Sequence, residues 1–305
     1  MIRCTVARVD LDALRANFRA LRAFLESPAA AVERRVSGIE PAPTARGGTS
    51  GGPDVIAVVK ANAYGHGAVP AALALEDAGA SMLACADIEE AVVLREGGVR
   101  APILVFGALS VSDLDGLFTY RLTPTISTPG AAVAVQQAAA ARGVTIGYHL
   151  KIDTGMHRLG FRHDNLGRTI PRLVESPNLR LDALYTHFSS ADVPDSDELG
   201  VQRERFDAAA AVVDALVRQA DPARGPIRRH ASNSAALLRD SRCWYDAVRP
   251  GLLLYGIVPP PLASTLPLVP VMSLTSRVVA VKGLRPSEGV GYGLRYRVNT
   301  PRTIA

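Results

Sequence analysis

The sequence predicts an α/β chain: a (β/α)8 TIM barrel followed by the start of a C-terminal β domain. Three observations carry this reading. From Val55 onward eight short apolar runs recur: VIAVV, MLACA, ILVF, LTPTI, TIGYHLKI, LDALYTHF, IRRHAS and AVRPG. Ala/Leu-rich segments with helical character lie between most of them, at 68–78, 89–96, 131–141 and 203–219, and strands alternating with helices argue for parallel βαβ units. After Gly256 the alternation stops. The competing arrangement, a doubly wound open sheet, is disfavoured because no GxGxxG follows the first strand.

The elements follow in order. Residues 1–26 read as an N-terminal strand and helix. Leu11, Leu14, Phe18, Leu21 and Leu25 recur at helical spacing, and Asp10 is placed to cap them. Residues 27–53 are dominated by Ala, Pro, Gly, Ser and Thr and close on GGTSGGP, so they read as a flexible insertion. Residues 54–258 hold the barrel. Pro259-Pro260-Pro261 reads as a linker, and residues 262–305 read as an incomplete C-terminal β domain, with strands expected over 271–281 and 289–298. The sequence ends at TPRTIA, where a further strand is expected to open, so the chain is read as truncated.

Composition bounds the function. At 305 residues with 48% apolar content, the chain can bury a large core. No apolar run approaches a membrane span, and the charged N-terminus MIRCTVARVD is no signal peptide. A cytoplasmic protein is expected. Cys4, Cys85 and Cys243 lack metal or disulfide spacing and read as free thiols. The net charge of +5 comes from dispersed arginines without interleaved aromatics, which argues against nucleic acid and suits small anions.

The chemistry concentrates where strands end. The chain has only three lysines, Lys60, Lys151 and Lys282. Lys60 stands where a buried strand gives way to the turn ANAYGHG, a position where desolvation can free an amine for Schiff-base formation. A snorkelling lysine at a strand end is the alternative. Tyr64 follows the same strand. Lys151, Asp153 and Arg158 follow the fifth strand, and His187 ends the sixth. His230, Asn233 and Ser234 follow the seventh, and Arg249 and Gly251 the eighth. In a barrel these positions share one rim. HASNSAALL offers a hydroxyl at a helix start and RPGLLLYG offers backbone amides, the materials of a phosphate site. A lysine amine with a phosphate cradle suggests pyridoxal 5'-phosphate (PLP) as cofactor. Taken singly, His187 and His230 read as structural histidines, Arg158 as a salt-bridge arginine, and Tyr64 and Tyr292 as packing residues. His66, His149, His157 and His163 form no metal-ligand grouping and read as structural.

Six ordered segments carry a resemblance: VVKANAYGHG, HLKIDTGMHRLGF, YTHFSSAD, HASNSAALL, VRPGLLLYG and GVGYGLRY. Together they resemble alanine racemase, a fold-type III PLP-dependent enzyme. The resemblance implies a barrel plus β-domain architecture, a head-to-tail homodimer with shared sites, and interconversion of L- and D-alanine, which supplies D-alanine for peptidoglycan. It implies that Lys60 holds PLP and acts as one proton-transfer base, with Tyr292 as the second base in the partner's site. Arg158 would orient the substrate carboxylate. Arg249 would bond the pyridine nitrogen, with His230 behind it. Tyr64, Ser234, Gly251 and Leu252 would contact the phosphate. His187 would contact the cofactor and tune Tyr292, Asn233 would be a supporting residue, and Lys151 resembles a position that is sometimes carbamylated. The family's later IGYADG-like and CMDQ-like segments are absent from this sequence. The alternatives are a broad-specificity amino-acid racemase, another fold-type III enzyme, or a truncated chain that binds PLP without racemising.

Overall fold

The computed structural model describes residues 5–27, 52–109 and 114–305. Cys4 and nearly all of the proposed 27–53 insertion lie outside the described residues. The chain divides into two compact units, one spanning Asp10–Val271 and the other made of the N-terminal strand with Met272–Ala305.

The larger unit is a closed barrel. After the N-terminal strand β1 (Val6–Val9) and helix α1 (Leu11–Leu25), its strands begin with β2 (Asp54–Val58), β3 (Met82–Cys85), β4 (Ile103–Val105), β5 (Thr123–Ile126) and β6 (Ile146–Asp153). A two-residue strand, β7 (Phe161–Arg162), adds to the edge of β6, and the wall continues through β8 (Leu179–Tyr185), β9 (Arg228–His230) and β10 (Ala247–Val248). Each wall strand pairs in parallel with the next. The circle closes where Ala247 and Val248 of β10 meet Asp54 and Val55 of β2. The connecting helices are α2 (Ala68–Asp77), α3 (Ile88–Glu96), α4 (Asp115–Thr119), α5 (Pro129–Ala141), the one-turn α6 (Leu166–Thr169) and α7 (Pro171–Val174), α8 (Glu198–Ala220) and α9 (Ser234–Arg239). The eight predicted strands all lie in this wall.

Strands covered on both faces need apolar residues at consecutive positions. Val55, Ile56, Ala57 and Val58 are all buried, as are Leu83, Ala84 and Cys85. Ile56, Ala84, Leu104 and Ala247 form one cluster, with Met82 and Phe106 against it. Cys85 and Cys243 are buried free thiols. Among the described residues no group of His, Cys, Asp and Glu could hold a metal, and no helix is long and apolar enough to cross a membrane.

Helix α1 follows its sequence pattern. The Asp10 carboxylate accepts the Asp12 and Ala13 N–H groups at 3.0 Å each, and Leu14, Phe18, Leu21 and Leu25 are buried. Asn17 interrupts that apolar stripe yet is fully buried. Its amide nitrogen donates to the carbonyls of Leu254 (3.0 Å) and Val269 (2.8 Å), and its oxygen accepts the Val269 N–H at 2.8 Å. It therefore satisfies the irregular backbone that follows the last wall strand.

The smaller unit is built from antiparallel pairs. β1 pairs with β11 (Met272–Thr275), from Val6 opposite Thr275 to Val9 opposite Met272. Two further pairs form. β12 (Lys282–Leu284) pairs with β15 (Arg302–Ile304), and β13 (Gly289–Val290) pairs with β14 (Tyr296–Arg297). The first 26 residues are thus shared, the strand going to one unit and the helix to the other. The two expected strands are interrupted. Residues 276–281 stay out of the ladder. Gly291, Gly293 and Leu294 have φ of 68°, 72° and 47°, so the 289–298 segment folds back as a hairpin where a single strand was expected.

Replacing Asn17 with alanine should strand one buried carbonyl and two part-buried backbone groups, and cost about 2–4 kcal/mol. A chemical-denaturation midpoint for the barrel unchanged from the parent chain would contradict this account.

Candidate active site

The carboxyl ends of the wall strands surround a cavity of about 520 Å³, in the size range of small-molecule sites. Its lining brings together Lys60, Tyr64, Lys151, Arg158, His187, Asn233, Ser234, Arg249, Gly251 and Leu252. Four of these are lysines or arginines, and Asp192 is the one carboxylate among the described lining residues. His230 lies beneath the lining and is 2% exposed. Tyr292 belongs to the smaller unit, at the start of a 3-10 turn, and is fully exposed.

Lys60 opens an unusual turn directly after β2. Ala61, Asn62 and Ala63 all have φ and ψ near +50°, and Tyr64 has φ of 53°. Each left-handed residue with a side chain costs roughly 1–2 kcal/mol, so neighbouring groups must hold the turn. Asn62 Oδ1 accepts the Ala68 N–H at 2.7 Å, and Glu90 Oε1 accepts the Ala61 N–H at 2.7 Å. The Lys60 amine is held below the usual lysine range, first by burial and then by the Arg158 charge, against an opposing pull from Glu90.

Tyr64 and the two following loops form one wall of the cavity. A Cβ at Gly251 would overlap the Tyr64 hydroxyl and sit 2.9 Å from its ring carbon Cζ, so only glycine admits this approach. Ser234 Oγ accepts the Gly251 N–H at 3.0 Å and the Leu253 N–H at 3.4 Å. Asn233 caps α9 through the Ala236 N–H at 2.9 Å. The Tyr64 ring leans on Tyr255 at 5.1 Å, and Tyr255 donates its hydroxyl to the Val58 carbonyl at 3.1 Å.

The floor is a buried polar chain. Arg249, 3% exposed, donates through Nη2 to the carbonyls of Thr186 (2.7 Å) and Ala231 (2.8 Å), and reaches His187 Nδ1 at 3.3 Å. Its Nη1 lies 2.9 Å from His230 Nδ1, and His230 Nε2 lies 2.9 Å from His149 Nδ1. A guanidinium only donates. His230 Nδ1 must therefore accept, its Nε2 carries the proton, and His149 Nδ1 accepts in turn. Burial keeps all three histidines from charging. His149 is pushed down to about 4, and His187 and His230 fall well below the usual range, with Arg249 adding to each shift. Burial also lowers Arg249, to about 10. The Lys151 amine is lowered strongly by burial and by Arg249 and Arg158.

Three contributors escaped the reading from sequence. Tyr185 stacks on His230 at 4.8 Å and 10°, with Lys151 Nζ 4.8 Å and the Arg249 guanidinium carbon 5.2 Å from its ring centre. Its face thus supplies negative potential to two buried cations. His149 shares the inward face of β6 with Lys151, and Tyr185 stands two residues before His187, so period-two alternation was the available signal. Glu90 reads locally as part of a helix start. Of the other histidines, His66 binds the Ala63 and Tyr64 carbonyls, and His157 pairs with Asp153 at 3.1 Å.

Comparison with known proteins accords with this geometry. Residues 44–259 match the family described as alanine racemase, N-terminal domain. The alanine racemase of Symbiobacterium thermophilum is 35% identical over the whole chain, which covers 73% of that protein. That of Geobacillus stearothermophilus is 38% identical over 99% of the chain, covering 70% of its length. Among solved structures, alanine racemase from D-cycloserine-producing Streptomyces lavendulae superposes with a TM-score of 0.81 at 30% identity, over 99% of this chain and 73% of that one. The Streptomyces coelicolor A3(2) enzyme gives 0.78 at 32% identity, over 99% and 73%. With the sequence match spanning the barrel and the structural match reaching into the smaller unit, the chain belongs to the alanine racemase family.

Proposed function

We propose that the barrel rim holds PLP on Lys60 and that the protein interconverts L- and D-alanine. One observation carries this reading: a half-buried lysine with a lowered pKa opens into the same cavity as the Tyr64–Ser234–Gly251 wall. The fit to the cofactor rests on two features. Four basic side chains, two of them arginines, face one carboxylate, which favours an anionic ligand. The glycine at 251 leaves backbone and the Tyr64 hydroxyl close together, as a phosphate cradle requires.

In this reading Lys60 Nζ would hold the cofactor covalently, and Tyr64, Ser234, Gly251 and Leu252 would hold its phosphate. Bound PLP withdraws electron density from the α-carbon of an attached amino acid, which makes the α-proton removable. Arg158 pairs with the substrate carboxylate. Arg249 would donate to the pyridine nitrogen, since a guanidinium cannot accept a proton, and the His230–His149 chain would keep its donation fixed. Lys151 and Tyr185 hold the floor beneath. Inversion at the α-carbon needs a proton removed on one face and returned on the other. Lys60 serves one face, and we assign the other to Tyr292, contributed across a homodimer. D-Alanine made in this way would supply peptidoglycan assembly from the cytoplasm.

Borohydride reduction of the PLP-treated chain followed by peptide mapping should label Lys60. A label on Lys151 or Lys282 would remove the basis of the assignment. Gly251→Ala should displace Tyr64 and weaken PLP binding about tenfold or more, measured by absorbance titration. Equal affinity would rule out the cradle. Lys60→Ala and Tyr292→Phe should each abolish L-alanine racemisation. Random mixing of the two should recover roughly a quarter of the activity through heterodimers with one intact site. Mixed dimers that form and stay inactive would show that the site is not shared.

A further inference from the structure

We infer that Glu90 is a positioning residue for Lys60, clamping the left-handed turn to the end of the neighbouring strand. The inference deepens the proposed function, since it concerns the residue read there as the cofactor's anchor.

The local sequence Asp87-Ile88-Glu89-Glu90 has the spacing of a capping box. In that motif the residue at the first position caps the helix, and the carboxylate three residues on returns to the cap's own N–H. Half of the motif is present: Asp87 Oδ1 accepts the Glu90 N–H at 2.8 Å. The other half is diverted. Glu90 Oε2 accepts the N–H of Ala86, just beyond β3, at 2.8 Å. Glu90 Oε1 accepts the N–H of Ala61, the residue after Lys60, at 2.7 Å. One carboxylate therefore ties the lysine turn to the end of the adjacent wall strand, across 29 positions of sequence.

The turn needs such a tie. Four successive residues with side chains, Ala61 to Tyr64, hold φ between 52° and 54°. A chain in this conformation reverts unless its surroundings specify it. Asn62 secures the far end of the turn through the Ala68 N–H, and Glu90 secures the end that carries the lysine. Both oxygens of Glu90 are spent on backbone donors, so a carboxamide cannot replace it. Glutamine offers one acceptor and sets an N–H against the second donor. Glu89, one residue earlier on the same helix, is exposed and supplies a matched control for charge.

The test compares the parent chain with Glu90→Gln and Glu89→Gln by hydrogen–deuterium exchange without cofactor, and by visible circular dichroism after loading with PLP. For Glu90→Gln, peptides covering 58–66 should exchange at least about tenfold faster while peptides from β6 and β8 keep the parent rate. The dichroism of the lysine-bound cofactor should fall by about half or more, because its orientation is no longer fixed. Glu90→Asp, which keeps two acceptor oxygens, should recover part of both signals. Glu89→Gln should match the parent. The inference is overturned if Glu90→Gln matches the parent in the 58–66 peptides, or if exchange rises equally throughout the barrel, since that pattern marks a plain helix cap. A parent chain that takes up no PLP at Lys60 would refute the proposed function instead, and the exchange measurement would still decide the clamp.

Discussion

A guanidinium enclosed in the barrel floor, with carbonyl oxygens and imidazoles for partners, sets the terms for the whole rim. Arg249 cannot shed its charge as cheaply as a buried lysine, so its neighbours must adapt to it. Thr186 and Ala231 turn their carbonyls toward it, and His230 must present an unprotonated Nδ1. That requirement passes to His149, and burial keeps both rings neutral. Burial first, and the same charge after it, keep Lys151 and His187 from protonating in their usual ranges. The aromatic face of Tyr185 offsets part of the cost without bringing in a carboxylate that would compete for an incoming anion. The floor is therefore a donor array of fixed polarity, and its shape follows from one residue that can only donate.

Above that floor the lysine end of the rim is governed by backbone geometry more than by charge. Lys60 is presented by a turn that chirality disfavours, and the Gly251 loop approaches Tyr64 at a distance that excludes any side chain. Both are features of backbone placement, and both bring reactive groups closer than regular secondary structure would. The closed strand circle beneath supplies the rigidity that lets such local costs persist.

Most of the barrel was legible in the sequence because doubly covered strands must be apolar at consecutive positions, and these runs stand out against Ala-rich helices. The rim was legible for a related reason: polar residues at the ends of apolar strands have few other uses. Asn17 was not legible, because its role depends on the carbonyls of Leu254 and Val269, more than two hundred residues away. Glu90 was hidden behind an ordinary helix-start spacing. The smaller unit was read less well. Its strands are only two to four residues long, and glycines inside an apolar stretch decide whether it extends or folds back. Pairing of β1 with β11 leaves no local trace at all.

That last pairing bears on the order in which the molecule can assemble. Strand β1 lies at the start of the chain, yet its partner stands 269 residues later, where Thr275 meets Val6. Every wall strand of the barrel emerges during synthesis before β11 exists. Local βαβ pairings close over short separations and have a smaller entropic cost than this one. During vectorial synthesis β1 must therefore wait for β11 while the barrel strands emerge, joined to the growing chain through helix α1. Strand β1 leaves the ribosome ahead of every barrel strand, yet it can pair only after they have all emerged.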